Sequence, residues 1–354
     1  MIAILSTAHG EGRGAETVLE HLLNGWERMD DAPLIIAPAN SRVLGVAARR
    51  SMAVMELATA KDALRQNIKA VRRGVSSLQG CRLVHAWHSR GFELAWWLGR
   101  RLRVPACGTV HDHPKCSTHS TVRRGLIRFF GSRLTELVCV SEAVRKAWAD
   151  TKGRSRMCVV RNGLVEHTTT RAASDRVRVG FLGMYAGWKG FDIVEGWIRE
   201  LSSANIEWRL YGTVAGCWER LVRGLMTRHA AEITLCGEQP AEKVFSEIDL
   251  MVHASTEFDP LPTVLIEAAR AGVPVVASNL GGGREIVEHG ESGFLFDVAV
   301  AGDGCRFLQR LVRSASLREE VGRAARQRYK QNFPVSRMIE GYVDIWNRLA
   351  GTRD

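Results

Sequence analysis

Short apolar, β-branched runs alternate along this chain with longer stretches in which apolar residues recur every third or fourth position. In the first half the runs predict strands at Ile2–Ser6, Pro33–Ala37, Leu83–Ala86, Cys107–Val110 and Leu137–Val140. In the second half they predict strands at Val177–Leu182, Glu207–Tyr211, Ile233–Leu235, Leu250–His253 and Val273–Ala277. Several are apolar at nearly every position, as parallel strands covered on both faces are. Between them, Val18, Leu19, Leu22, Leu23 and Trp26 fall on one face of a helix. Strands alternating with helices predict an α/β fold on parallel sheets.

The alternation breaks once. After Val159-Val160-Arg161-Asn162-Gly163 comes the polar stretch EHTTTRAASDR, and the apolar pattern restarts at Val177. A boundary near residues 166–176 follows. It separates a first domain over 1–165 from a second over 177–335, with a C-terminal helix over 336–354. A chain of 354 residues gives each domain enough length to bury its own core.

Composition narrows the class. Apolar content of 45% and charged content of 25% are those of an ordinary folded chain. The opening MIAILSTAHG lacks the basic start and apolar length of a secretory signal and reads as a first strand. No apolar run reaches the roughly 18–20 residues needed to span a bilayer. The eight cysteines form no C-x-x-C and no Cys/His cluster at zinc spacing. Buried thiols in a reducing, cytoplasmic setting are the expectation.

Charge is distributed unevenly. Residues 1–165 hold 26 Lys and Arg against 13 Asp and Glu, whereas the remainder holds 23 against 25. Within 61–165 the ratio is 21 to 6. A basic first domain beside a neutral second one implies an anionic partner for the first, either nucleic acid or a membrane surface.

Candidate chemistry concentrates after Leu250. The predicted strand LMVHA runs into Ser255-Thr256-Glu257-Phe258-Asp259-Pro260-Leu261-Pro262, then a helix from about Thr263 to Arg270 that Gly272 is placed to end. The start of that helix lies at the carboxyl end of a parallel strand, where open α/β sheets bind ligands. Its free N–H groups favour a phosphate. Glu267, one turn inside, is suited to a ribose diol, and Asp259 in the loop to sugar hydroxyls. By itself the same pattern also fits a helix whose Glu faces solvent.

The longer run DPLPTVLIEAARAGVPVVASNLGGGREIVEHGESGFLF resembles the C-terminal signature of the family 4 glycosyltransferases, which have the two-domain GT-B fold. In that family two acidic residues are separated by seven others, and Asp259 and Glu267 occupy those positions. Gly281-Gly282-x-x-Glu285-Ile286-Val287 and Gly290-x-x-Gly293 match the turn and loop that follow. A second match is Phe181-Leu182-Gly183-Met184-Tyr185-Ala186-Gly187-Trp188-Lys189-Gly190. There the family places an Arg directly after the glycine and a Lys five residues later, both holding the donor diphosphate. In the first domain, Gly10-x-Gly12-x-Gly14-Ala15-Glu16 looks like the family's Gly-Gly-Ala-Glu turn, although an ordinary tight βα turn reads the same way. His111-Asp112 follows a predicted strand where the family often places a His that contacts the donor sugar; a His there is also an ordinary polar loop residue. His85 reads as structural. Val140-Ser141-Glu142 and Arg161-Asn162-Gly163 match further landmarks.

The resemblance implies two Rossmann-like domains facing each other across a cleft, and a retaining, metal-independent hexosyl transfer from a UDP- or GDP-linked sugar, without a cofactor. Asp259, Lys189 and His111 are then the catalytic candidates. Glu267, Gly183, Leu261, Pro262, Thr263, Val264 and Gly14 are the donor-binding ones. Two departures stand out. Asp259 is one methylene shorter than the family's usual Glu, with Glu257 two residues earlier as a competitor for the role. Met184 replaces the expected Arg, leaving Lys189, the helix start and a candidate substitute, Arg284, to hold the diphosphate.

Two basic segments look amphipathic: Lys61, Arg65, Lys69, Arg72 and Arg73 among Leu64, Ile68 and Val71, and Arg123, Arg124, Arg128 and Arg133 among Leu126, Ile127, Phe129 and Phe130. Each alone also fits an ordinary surface helix. Together they suggest docking on anionic lipid at the cytoplasmic face of an inner membrane, suiting a glycan or lipid-linked acceptor in cell-surface polysaccharide or lipopolysaccharide synthesis. No nucleic-acid signature accompanies them. The alternatives are a GT-B scaffold or binding subunit that has lost turnover, and a phosphorylase on the same fold.

Overall fold

The computed structural model describes residues 1–7, 14–27, 32–58, 64–115, 119–149, 156–201, 205–214, 216–229 and 231–351. The chain divides into two compact units, Met1–Val165 with Pro334–Asp354, and Glu166–Phe333.

The first unit is built on strands β1 (Ile2–Leu5), β2 (Leu34–Pro38), β3 (Val54–Leu57), β4 (Leu83–Ala86), β5 (Ala106–Val110), β6 (Glu136–Cys139) and β7 (Arg156–Val159). They form one sheet in the order β3-β2-β1-β4-β5-β6-β7. The second unit has β8 (Val177–Leu182), β9 (Ile206–Tyr211), β10 (Ile233–Gly237), β11 (Leu250–His253), β12 (Val275–Ser278) and β13 (Phe294–Phe296), in the order β10-β9-β8-β11-β12-β13. Neighbouring strands run parallel throughout. Both units are Rossmann-like. In each, the strand order reverses between the first and fourth strands, and the crevice beyond the carboxyl ends of that pair is where such sheets bind ligands.

All ten predicted strands are present: Leu83–Ala86, Val177–Leu182 and Leu250–His253 keep their ends, and the others shift by one or two residues. Val273 lies outside β12, because the chain must first leave the helix at Gly272, which adopts φ +65°, and pass Pro274, which has no N–H for a ladder. Three strands went unpredicted, β3, β7 and β13, and all lie at sheet edges. The helices that cover the middle of a sheet reach its margins less completely, so an edge strand's sequence need not be a continuous apolar run. Val54–Leu57 alternates exposed and buried positions, β7 starts on an exposed Arg, and β13 is three residues long.

The helix Gly14–Asn24 buries Val18, Leu19, Leu22 and Leu23, with Trp26 just beyond it. They pack into a core with Met338, Tyr342, Ile345 and Trp346 of the C-terminal helix Val335–Ala350. A buried polar chain ties that helix down. Trp346 Nε1–H donates to His85 Nδ1 at 2.8 Å, which leaves the ring proton on Nε2, 2.7 Å from Thr109 Oγ1; Thr109 in turn lies 3.2 Å from the Tyr342 hydroxyl. Burial pushes the His85 pKa down to about 3, so the ring is neutral. His85 therefore has the structural role expected of it.

The second unit has its own core, in which Phe181, Tyr185, Phe191, Trp197, Trp208 and Phe296 are buried. Tyr185 stacks on Phe191 with ring centroids 4.8 Å apart, anchoring the start of the loop that follows β8. No helix among the described residues is long and apolar enough to cross a membrane.

Candidate active site

In the second unit the switch point lies between β8 and β11, and two loops leave the sheet there. The first begins at Gly183, in a backbone conformation (φ +142°) that L side chains rarely adopt. It closes with the tight turn Gly187–Lys189 and with Gly190 at φ +67°. A Cβ on Gly190 would lie 1.9 Å from the Ala254 carbonyl oxygen, so glycine is what lets this loop rest on the end of β11. The second loop clasps the first: Thr256 N–H donates to Trp188 O at 3.0 Å, and Thr256 Oγ1–H donates to Gly187 O at 3.0 Å. Lys189 is thereby held with Nζ 3.4 Å from Asp259 Oδ2 and 4.3 Å from the centre of the Trp188 ring.

Asp259 is supported from behind by the glycine turn. Gly282 N–H donates to Asp259 O at 2.8 Å. A Cβ on Gly281 (φ +56°) would fall 2.0 Å from Asp259 O, and one on Gly282 would fall 2.1 Å from Pro260 O. These two glycines thus have a packing reason: only backbone fits against the backbone of the acidic loop. His253, at the end of β11, brings Nε2 to 3.7 Å from Asp259 Oδ2 and 3.3 Å from Ser255 Oγ. Burial pushes the Asp259 carboxyl upward, but His253 and the Lys189 ammonium outweigh it, and the net shift is downward. Asp259 is therefore charged at neutral pH. Glu257, its competitor in the sequence, is exposed to solvent.

The helix Thr263–Ala271 starts after Pro262 without a side-chain cap; Leu265 N–H donates to Pro262 O at 3.1 Å, and no side chain caps the N–H groups before it. Leu261 and Pro262 are buried, and Thr263 and Val264 are half-buried. Glu267 follows one turn inside. Burial drives its pKa up to about 7, with Arg270 opposing and Glu242 reinforcing the rise. Met184 is exposed, with 47% of its surface accessible, so the position of the family's Arg is a thioether open to solvent. Arg284 is also exposed, and its Nη2–H donates to Asn279 O at 2.9 Å.

The first unit gathers polar groups at its own switch point between β1 and β4. Gly14 opens the helix Gly14–Asn24; Gly10 and Gly12 lie outside the described residues. Trp87 Nε1–H donates to Ala15 O at 2.8 Å, and Glu16 Oε1 lies 3.4 Å from His88 Nε2. The His111 ring stands 5.4 Å from Trp87 and 5.8 Å from His88, centre to centre. Burial holds the His111 pKa well below the usual range, and His88 and His85 lower it further. Asp112 Oδ2 accepts from Ser89 Oγ–H at 2.7 Å. Among the described residues, Thr7 Oγ1, His111 Nε2 and Asp112 Oδ1 are buried without a hydrogen-bond partner. Such atoms cost about 1–3 kcal/mol each when left unmet, so their presence at a ligand edge points to polar hydroxyls as their complement. Among the described residues, no group of three or more His, Cys, Asp or Glu is arranged to hold a metal ion.

Sequence reasoning overlooked His253, Thr7 and His88. His253 had a visible signal, a polar residue inside the apolar run of β11. Thr7 and His88 had none beyond their place after predicted strands.

This fold is that of a GT-B glycosyltransferase. The chain belongs to that class by sequence as well: residues 12–166 match Glycosyltransferase Family 4, and residues 176–313 match Glycosyl transferases group 1. It is similar to spore coat protein SA of Bacillus subtilis, at 26% identity over 121 residues, 34% of this chain and 32% of that protein. The chain thus spans about a third of the length of that curated relative. Among solved structures, Anabaena Alr3699/HepE in complex with UDP and glucose superposes with a TM-score of 0.84 at 20% identity, covering 99% of this chain and 100% of the other. The lipopolysaccharide outer core galactosyltransferase WaaB, in its apo form, superposes with a TM-score of 0.75 at 13% identity, covering 99% and 100%. At these identities the likeness concerns the fold.

Proposed function

We propose that this protein transfers a hexosyl group, with retention and without a metal ion, from a nucleoside diphosphate sugar to a glycan or lipid-linked acceptor in cell-surface polysaccharide or lipopolysaccharide synthesis. The observation that carries the reading is the Lys189–Asp259 pair beside an uncapped helix start. It sets a cation and backbone N–H groups for a diphosphate next to a charged carboxylate for sugar hydroxyls. Glu267 would hold the ribose. Gly183 lets the chain approach the phosphates, and Arg284 is the additional cation available should it leave Asn279. His111, His88 and Thr7 would meet hydroxyls on the first unit's side, and Gly14 opens a helix there.

In the reaction, the bond between the sugar's anomeric carbon and the diphosphate oxygen breaks, and the electron pair leaves with the diphosphate. Lys189 stabilises that growing charge. The acceptor oxygen bonds to the same face of the oxocarbenium-like centre, and its proton passes to a phosphate oxygen of the leaving group. Asp259 is already paired to Lys189 and His253, so it suits hydroxyl binding better than covalent attack.

The basic helix of the first unit supports peripheral attachment to anionic lipid. In the helix Thr121–Gly131, Val122, Leu126 and Phe129 form an exposed stripe, while Ile127 is buried. Arg123 is paired with Glu93 at 2.9 Å, but Arg128 and Arg133 are exposed, and no acidic residue occurs between Lys115 and Arg133. Such a face fits the boundary of a negatively charged bilayer. Of the other segment, Lys61 lies outside the described residues, while Lys69 is exposed on the helix Leu64–Arg73.

A panel of UDP- and GDP-sugars, read as nucleoside diphosphate release with and without lipid-linked acceptors, tests the function. Acceptor-dependent release supports transfer. Donor binding without release in any combination would favour a scaffold, and phosphate-dependent release of sugar phosphate a phosphorylase.

A further inference from the structure

The acidic residue of the donor loop is an Asp, and its short side chain raises a problem that the neighbouring residues address. Asp259 Oδ2 receives Lys189 Nζ at 3.4 Å, yet Lys189 is the cation proposed to turn toward the diphosphate. When it does, the carboxylate loses its nearest charge partner. A second group already faces the same oxygen: His253 Nε2 at 3.7 Å. His253 is 5% exposed and sits at the end of β11, a central strand paired on both sides with β8 and β12, so its backbone is fixed. Ser255 Oγ lies 3.3 Å from the same nitrogen. A proton on Nε2 faces two acceptors there, Asp259 and Ser255, and leaves Nδ1 as the buried atom without a partner among the described residues. The opposite tautomer would turn a lone pair toward a carboxylate.

We propose that His253 is a positioning residue that holds the short Asp259 side chain in its sugar-facing place through Nε2–H, taking over as partner when Lys189 engages the diphosphate. His253 touches no reacting atom in this scheme; it acts through Asp259. The proposal rests on the transferase reading and deepens it by explaining how an Asp serves where the related sequences commonly place a Glu. The longer Glu would reach the sugar without being held, so the two features, short acid and buried His, form one compensated unit.

That linkage gives the test. His253→Leu should lower kcat at least tenfold with donor KM changed less than threefold, because the carboxylate is misplaced rather than absent. His253→Gln, whose amide can still donate, should recover most of the loss. Adding Asp259→Glu to His253→Leu should restore activity toward that of Asp259→Glu alone. Equal losses in both backgrounds would overturn the proposal, as would a loss that merely follows melting temperature across the three variants. If His253→Leu fails to fold, His253→Asn, too short to reach, takes its place. Titration of Asp259 by carbon NMR of its carboxyl gives a readout independent of turnover. Its midpoint should rise in His253→Leu and return in His253→Gln; an unmoved midpoint would sink the positioning role. A wild-type protein that turns over no donor would refute the transferase reading while leaving this titration to decide the pairing.

Discussion

Lys189 and Asp259, seventy residues apart in sequence, meet at 3.4 Å because each is delivered by a loop that glycine allows to lie flat on its neighbour. Gly190 does this for the lysine and Gly281 for the aspartate. The pair stands where the second sheet opens, with both side chains less than one-fifth exposed. It supplies the first prediction. Lys189→Ala should weaken nucleoside diphosphate sugar binding roughly ten- to hundredfold by calorimetry, the scale of one charge-assisted contact. Unchanged affinity would remove Lys189 from the diphosphate site.

The glycine turn makes a sharper demand. Gly281→Ala places a methyl group 2.0 Å from Asp259 O at a positive φ, and should cost about 2 kcal/mol or more in urea unfolding. It should also displace the acidic loop and lower donor affinity. Gly196→Ala, in the helix Phe191–Leu201 with open space around it, is the control and should gain about 0.5–1 kcal/mol.

Glu267 carries an opposition between stability and function. Its folded pKa of about 7 exceeds the ordinary 4.5, so between those values the folded state holds a proton that the unfolded state has lost. The stability it contributes is complete below pH 4.5 and disappears as pH rises through 7. Glu267→Gln should therefore raise the Tm at pH 8 more than at pH 5. If the carboxylate accepts from a ribose diol, wild-type donor affinity should rise between pH 6 and 8 and the Gln variant should be flat. Parallel profiles would remove Glu267 from ribose binding.

His85 works in the other direction. Its folded pKa of about 3 lies below the ordinary 6.5, so the unfolded state takes up a proton first. Its contribution is intact above pH 6.5 and drains away as pH falls toward 3. Trp346→Phe leaves Nδ1 without its donor, and should cost about 1–3 kcal/mol at pH 7.5 by urea unfolding. A cost near zero would mean that the buried chain is not tightly formed in solution.

Membrane attachment is checked with vesicles. Sedimentation with anionic vesicles should exceed that with neutral ones severalfold and fall with added salt. Replacing Val122, Leu126 and Phe129 together by Ser, or Arg128 and Arg133 by Glu, should abolish it. Binding that ignores lipid charge would argue against the proposal, and a concentration-dependent dimer lost in the Ser variant would assign this face to self-association.

Much of this is legible in the amino-acid sequence. A run such as IAIL can be apolar throughout only when both faces are covered, so central strands announced themselves, and the break at 166–176 stood out against their rhythm. Three of the four edge strands did not; Val54–Leu57 and Arg156–Val159, for example, face solvent on part of their surface. The residue types of the candidate site were legible through spacing: a Lys after a glycine loop, and two acids separated by seven residues. Their partners were not. That His253 reaches Asp259, or that Thr7 and His111 keep buried atoms unpaired among the described residues, depends on loop paths that carry no periodicity.

The helix Val335–Ala350 completes the core of a unit whose other residues end at Val165. That unit is therefore discontinuous, with the whole of Glu166–Phe333 inserted into it like a parenthesis. During synthesis, the strands and helices of its first part must wait, with the hydrophobic seat for Tyr342 and Trp346 uncovered, until the second unit has been made. Ordinary domain-by-domain folding from the N-terminus would thus be inverted, the middle of the chain closing its core before the beginning does.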